Sequence, residues 1–115
     1  MSGLSTHVLD TALGRPGHGI KLHLYRATDT PTLLSSHTTN ADGRTDDPLL
    51  SADAFALGTY EIVFEVADYF RAAHAQTSEP PFLDEVRLRF TITEQSHYHV
   101  PLLLSPWSYS TYRGS

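Results

Sequence analysis

The sequence predicts an all-β fold, an antiparallel β-sandwich with one short helix. Apolar and polar residues alternate in several short runs, turn-forming residues separate these runs, and a single segment has a helical composition. The chain has 115 residues, 40% of them apolar, which is enough for one hydrophobic core. We therefore expect a single domain over residues 1–115.

Strands are expected wherever every second residue is apolar, so that one face is buried and the other meets solvent. In chain order the runs are a strand from about residue 5 that ends before the turn at 14–17, then residues 20–24, 32–39, 60–66, 86–93, 98–104 and 109–112. Asn-Ala-Asp-Gly at 40–43 has the composition of a turn, after which a short strand is expected. Residues 68–75 predict a two-turn helix with Asp68 as N-cap.

Two strands carry apolar residues on the face that should meet solvent. His97, His99 and Leu103 share the outer face of one strand, and His7 and Leu9 share the outer face of another. Outward apolar residues on a small domain are typical of a covered surface, most often a subunit interface. Isolated exposed leucines are the simpler alternative.

Composition argues against several classes of protein. The net charge is −5, whereas a nucleic-acid binder is normally basic, and the chain has no cysteine for a disulfide, thiolate metal site or thiol nucleophile. No secretory signal or membrane-spanning segment is visible, so a cytoplasmic protein without a membrane partner is expected.

Seven histidines are the unusual feature of the composition. The pair His97 and His99 fits acid–base catalysis in a pocket, a metal site with His7 as third ligand, or mere partial exposure. Arg44, after Gly43, is a natural fork for a planar anion or carbonyl-rich ligand, although a lone arginine is more often a surface residue.

The remaining polar residues indicate no second site. The serine nucleophile candidates Ser5, Ser110 and Ser115 lack a Gly-x-Ser-x-Gly elbow. The other histidines are interpreted as structural or surface residues, namely His18, His23, His37 and His74.

Three blocks of sequence together resemble a known family. They are Ser-Thr-His-Val-Leu-Asp at 5–10, Thr-Asn-Ala-Asp-Gly-Arg at 39–44, and His-Tyr-His-Val-Pro-Leu-Leu-Leu-Ser-Pro at 97–106 with the ending Tyr-Ser-Thr-Tyr-Arg-Gly-Ser at 109–115. In this order they resemble the transthyretin-related 5-hydroxyisourate hydrolases over essentially the whole chain. The terminal Tyr-Arg-Gly-Ser is the most specific element, because it separates these enzymes from the carrier transthyretin.

The resemblance implies a transthyretin-like sandwich of two four-stranded sheets that assembles as a homotetramer, with active sites at the dimer–dimer interface. It implies hydrolysis of 5-hydroxyisourate to 2-oxo-4-hydroxy-4-carboxy-5-ureidoimidazoline in urate breakdown, by histidine-assisted attack of water on a lactam carbonyl. No metal or other cofactor is implied. The matching catalytic residues are His7, Arg44 and His99, and the matching substrate-binding residues are His7, Arg44, Tyr112, Arg113 and Ser115.

Three other functions stay open at this level. A transthyretin-type carrier would bind a small aromatic ligand in the same channel, but the carrier lacks the two matched histidines and the terminal tetrapeptide. An all-β accessory domain that binds carbohydrate would need a row of exposed aromatic residues, which the spacing does not give. A zinc-dependent hydrolase would use His7, His97 and His99 as ligands.

Overall fold

Two four-stranded sheets pack face to face in the computed structural model, which describes residues 2–75 and 77–114. The first sheet has the order β2-β1-β7-β8. Its strands are β1 (Gly3–Asp10), β2 (Arg15–Pro16), β7 (His97–Ser105) and β8 (Ser108–Thr111). This sheet carries the three histidines that the sequence singled out for chemistry, His7, His97 and His99.

The second sheet has the order β4-β3-β5-β6. Its strands are β3 (Lys21–Arg26), β4 (Thr32–Thr38), β5 (Gly58–Glu65) and β6 (Glu85–Ile92). The helix α1 (Ala67–Ala73) follows β5 and packs Phe70 into the core. The predicted sandwich of two four-stranded sheets with one short helix is therefore confirmed.

The hydrophobic core lies between the sheets and follows the predicted alternation. Leu22, Ile62, Phe64, Leu102 and Leu104 are completely buried. Each belongs to the apolar face of its strand, since successive side chains of a strand point to opposite sides of the sheet.

Three details differ from the sequence prediction. The pair β1–β7 is parallel, whereas all other pairs of named strands are antiparallel. The fourth strand of the first sheet is Arg15–Pro16, inside a predicted turn, and the stretch after residue 43 contributes only a bridge between Leu4 and Leu50. Helix α1 is capped by Val66 without a side-chain hydrogen bond, so Asp68 lies in the first turn and is not the N-cap.

Among residues 2–75 and 77–114, no helix is both long and apolar enough to cross a membrane.

Candidate active site

Three polar side chains converge on the outer face of the first sheet. His7 projects from β1, and His99 projects from the adjacent strand β7. Their ring centroids are 6.5 Å apart, and both side chains are half-buried. The outer faces that the sequence assigned separately to the strands of His7 and His99 therefore form one surface of the first sheet.

The half-buried character of this face extends to its apolar residues. Leu9 and Leu103, which the sequence places beside the two histidines, are half-buried in the single chain, and Pro101 is buried. These residues surround the histidines with apolar surface, which weakens the screening of nearby charges.

The turn at residues 40–44 brings Arg44 to this face. The Asn40 side chain accepts hydrogen bonds from the backbone N–H groups of Asp42 and Arg44, at 2.9 and 3.2 Å. Gly43 has a φ of +77°, and a Cβ there would lie 2.3 Å from the Val8 carbonyl oxygen, so no other residue fits. The Val8 N–H donates to the Gly43 carbonyl at 2.8 Å, which ties the turn to β1 beside His7.

The same turn fixes the protonation of one His7 nitrogen. Nε2 of His7 lies 2.9 Å from the backbone carbonyl oxygen of Asp42. A carbonyl oxygen can only accept a hydrogen bond, so Nε2 carries a proton. In the neutral ring the free lone pair is therefore on Nδ1.

His99 is surrounded by positive charge and apolar surface. Burial of the ring, followed in size by the positive charge of Arg44, lowers the pKa of His99 below its ordinary value of 6.5. Positive charge on His7 or His97 lowers the pKa further. His99 is consequently neutral at neutral pH and able to accept a proton.

The C-terminal segment covers His99 from the other side. The Gly114 N–H donates to the His99 carbonyl at 2.7 Å, and the His99 N–H donates to the Gly114 carbonyl at 3.2 Å. A Cβ at position 114 would lie 3.1 Å from Cδ2 of the His99 ring, so the glycine permits this close approach.

Not every predicted site residue reaches the histidines in the single chain. The Arg113 guanidinium lies 4.2 Å from the centre of the Tyr98 ring and contacts Ser96 and Glu94. Tyr112 is 59% exposed. Both residues line a cavity of about 510 Å³ between β6 and β8, and His7, Arg44 and His99 do not line it. Ser115 lies outside the described residues.

Sequence reasoning missed Ser5 as a member of this site. It considered Ser5 only as a nucleophile, whereas the Ser5 hydroxyl lies 2.9 Å from a ring nitrogen of His97 and 2.9 Å from one of His99. The signal is the parallel pairing of Ser5 with His99, which alternation alone does not reveal.

No three histidine, aspartate or glutamate side chains within the described ranges are grouped so that they could hold one metal ion.

The comparisons with known proteins agree with this architecture. A model described as "Transthyretin: HIUase/Transthyretin family" matches residues 4–114. A Rhizobium meliloti protein named 5-hydroxyisourate hydrolase 2 is 59% identical, over 97% of this chain and 95% of that protein.

Several solved structures are also similar to this chain. The 5-hydroxyisourate hydrolase of Klebsiella pneumoniae has a TM-score of 0.82 at 35% identity, with all of both chains covered. Sea bream transthyretin in complex with thyroxine has a TM-score of 0.86 at 27% identity, over 97% of this chain and 94% of that one. An (S)-allantoin synthase has a TM-score of 0.92 at 44% identity over 99% of this chain, which spans 44% of the synthase.

Proposed function

Because the chain belongs to the HIUase/transthyretin family, we propose that it is a hydrolase that opens 5-hydroxyisourate in urate breakdown. The observation that carries the proposal is the convergence of two histidines and an arginine on one half-buried face. The 59% identity with a relative named for this activity supports the same substrate.

We assign His99 as the general base and His7 as the general acid. The neutral His99 ring takes a proton from water, and the water oxygen then attacks the lactam carbonyl carbon. His7 acts in its doubly protonated form, in which Nε2–H stays bonded to the Asp42 carbonyl and Nδ1 donates its proton to the departing nitrogen as the carbon–nitrogen bond breaks. This direction of transfer is supported by the lowered pKa of His99 and by the bond that occupies Nε2 of His7.

Arg44 acts on the substrate's oxygens. Its guanidinium is exposed, and it forms no ion pair with the described residues, so its donors are available to a ligand. A planar fork of N–H donors suits a carbonyl-rich ring and stabilises the negative charge that develops on the attacked carbonyl oxygen.

The proposal includes a homotetramer with its active sites at the dimer–dimer interface. Support comes from the half-buried Leu9 and Leu103 beside the histidines, and from the free edges of β6 and β8 that flank the 510 Å³ cavity. In this assembly Tyr112, Arg113 and Ser115 contribute to substrate binding. A cytoplasmic location and one domain over residues 1–115, supported by the core shared between the sheets, complete the proposal.

The test follows the ultraviolet absorbance of 5-hydroxyisourate generated from urate by excess urate oxidase. We expect the purified protein to accelerate the loss of this absorbance, and a chelator to leave the rate unchanged. If the chelator abolishes the acceleration, the protein is instead a zinc-dependent hydrolase with His7, His97 and His99 as metal ligands. No acceleration by the folded protein would favour a small-ligand carrier, as the likeness to transthyretin in complex with thyroxine suggests.

A further inference from the structure

The Ser5 hydroxyl bridges two histidine rings on the outer face of the first sheet. Ser5 is paired with His99 across the parallel β1–β7 ladder, and His97 lies one step further along the same face, opposite Gly3. Ser5 Oγ is 2.9 Å from Nδ1 of His99 and 2.9 Å from Nε2 of His97. The three side chains thus form one continuous hydrogen-bonded chain.

The hydrogen bonds of Ser5 with His97 and His99 can be arranged in two ways. A serine hydroxyl has one proton, so Ser5 donates to one imidazole nitrogen and accepts an N–H from the other. In one arrangement His99 Nδ1 carries the proton, and its Nε2 is left as a free lone pair. In the other, His97 Nε2 carries the proton, and His99 is protonated on Nε2.

The burial of the two rings gives the chain a direction. His99 is half-buried under the C-terminal segment, whereas His97 is exposed. The His97 ring packs over Gly3, where a Cβ would lie 3.2 Å from its Nδ1. The row of hydrogen bonds therefore runs from His99, the proposed base, to His97, which is in contact with solvent.

We propose that Ser5 is a positioning residue that relays protons from His99 to the exposed His97 and holds His99 with Nε2 free for water. The inference rests on the proposed function, since it concerns how the same site is reset between turnovers.

The relay transfers only protons, and each group that gives up a proton receives another. When His99 Nε2 has taken the proton of the attacking water, the Nδ1 proton of His99 passes to Ser5 Oγ as the Ser5 proton passes to Nε2 of His97. The positive charge moves from His99 to His97, and His97 releases a proton from Nδ1 to solvent. The site is reset when His97 takes a proton from solvent on Nδ1 and its Nε2 proton passes to Ser5 Oγ as the Ser5 proton passes to Nδ1 of His99. The Nε2 proton of His99 then passes through a water molecule to Nδ1 of His7, which gave its own proton to the departing nitrogen.

Neighbouring charges favour the outward direction. Arg44 and a protonated His7 both face His99, and both oppose positive charge on its ring. On the side of His97, Arg113 contacts Ser96, and its charge is paired with that of Glu94. A proton on His99 is thus repelled by two cations. On the side of His97, the charge of Arg113 is already balanced by Glu94.

The test compares three serine variants by kcat, KM and the pH dependence of kcat. Ser5→Ala removes the relay, and we expect kcat to fall by about 10–100-fold with KM changed less than about twofold. This is less than the roughly 10²–10⁴-fold of a direct acid or base, because Ser5 acts through His99. Ser5→Thr keeps a hydroxyl on a strand residue and should restore most of kcat. Ser36→Ala is the matched control, because Ser36 Oγ is also bonded to a histidine, at 2.8 Å from Nδ1 of His23 on the other sheet.

A second variant keeps the proposal testable if Ser5→Ala does not fold. His97→Ala should lower kcat, and free imidazole in the buffer should restore it in a saturable manner, since a soluble base replaces the lost end of the relay. Wild-type kcat and an unshifted pH profile in folded Ser5→Ala or His97→Ala would overturn the relay. A wild-type protein without hydrolytic activity would instead refute the proposed function itself.

Discussion

The two histidines of the site differ in what their ring nitrogens contact. His7 commits Nε2 to the carbonyl of Asp42, so only Nδ1 is available for chemistry. His99 commits Nδ1 to Ser5, and Nε2 has no hydrogen-bond partner within the described part of the chain. The proposed division into acid and base rests on these contacts together with the lowered pKa of His99.

Burial of the ring and, second in size, the charge of Arg44 lower the pKa of His99 and so widen the pH range in which His99 is neutral. Because Arg44 lowers the pKa of His99, Arg44→Met should raise that pKa towards its ordinary value. The base is active when neutral, so activity is lost as pH falls through this pKa, and the acid limb of the pH–rate profile should move to higher pH. We would measure kcat/KM against pH for both proteins.

Lys21→Met removes one exposed positive charge from the other sheet and serves as the control for the change in net charge. Its acid limb should coincide with that of the wild type. An Arg44→Met profile whose acid limb does not move would mean that another group limits the rate at low pH.

At the scale of elements, a buried carboxylate joins β1 to helix α1. The Asp10 side chain is completely buried, and its Oδ2 accepts hydrogen bonds from the Tyr69 hydroxyl at 2.5 Å and His74 Nε2 at 2.8 Å. Burial alone would raise the pKa of Asp10, but the bonds from Tyr69, the Leu13 N–H and His74 outweigh it and lower the pKa. The sequence left open whether His74 is a structural or a surface residue. Its bond to the buried Asp10 carboxylate makes it a structural one.

We expect Tyr69→Phe to lower the free energy of unfolding by about 1.5–3 kcal/mol, because a bond to a charged group is lost inside the protein. Ionised Asp10 stabilises the fold above pH 3.8, and this contribution disappears as pH falls through its lowered pKa. The variant should therefore lose less stability on acidification than the wild type. Urea unfolding at neutral and acidic pH measures both effects.

Tyr109→Phe is the control, since Tyr109 is 45% exposed on β8 and its hydroxyl has no hydrogen-bond partner among the described residues. Equal stability losses in the two variants would contradict the anchoring role of the Asp10 carboxylate.

The C-terminal segment is a separate element whose loss should spare the sandwich. Deletion of residues 112–115 removes the backbone pair between Gly114 and His99 but leaves β8, Ser108–Thr111, intact. We expect turnover to be abolished while the thermal unfolding temperature and the oligomeric mass stay close to those of the wild type. Gly114→Ala should give a milder loss of turnover, because its Cβ presses on the His99 ring. Full turnover in the truncated chain would remove these residues from the mechanism.

For the molecule as a whole, alternation was sufficient to predict which faces meet in the core, because burial of every second side chain is a local property of each strand. It could not predict that β1 pairs in parallel with β7, since that depends on contacts more than 90 residues apart in sequence. The Ser5–His99 contact follows from this pairing. Arg44 was matched by resemblance, and the Asn40–Gly43 turn accounts for its position.

The assembly is predicted to depend on the same outer face. Leu103→Glu puts a charge on the half-buried surface beside the histidines and should reduce the proposed tetramer to smaller species without unfolding the chain. Leu33→Glu, at a leucine 53% exposed on β4 of the other sheet, is the control and should leave the mass unchanged. Light scattering gives the mass, and a Leu103→Glu protein that remains tetrameric would place the interface elsewhere.

In the proposed function, the His7–His99 face of the first sheet hydrolyses 5-hydroxyisourate. The most direct measurement is the rate of 5-hydroxyisourate loss with the wild type, His99→Asn and His23→Asn, all at equal concentration of folded protein. His23 is the matched control, since its ring is also bonded to a serine, on the outer face of the second sheet. We predict a fall of about 10²–10⁴-fold for His99→Asn and none for His23→Asn. Wild-type turnover by His99→Asn would contradict the proposed role of His99 in hydrolysis.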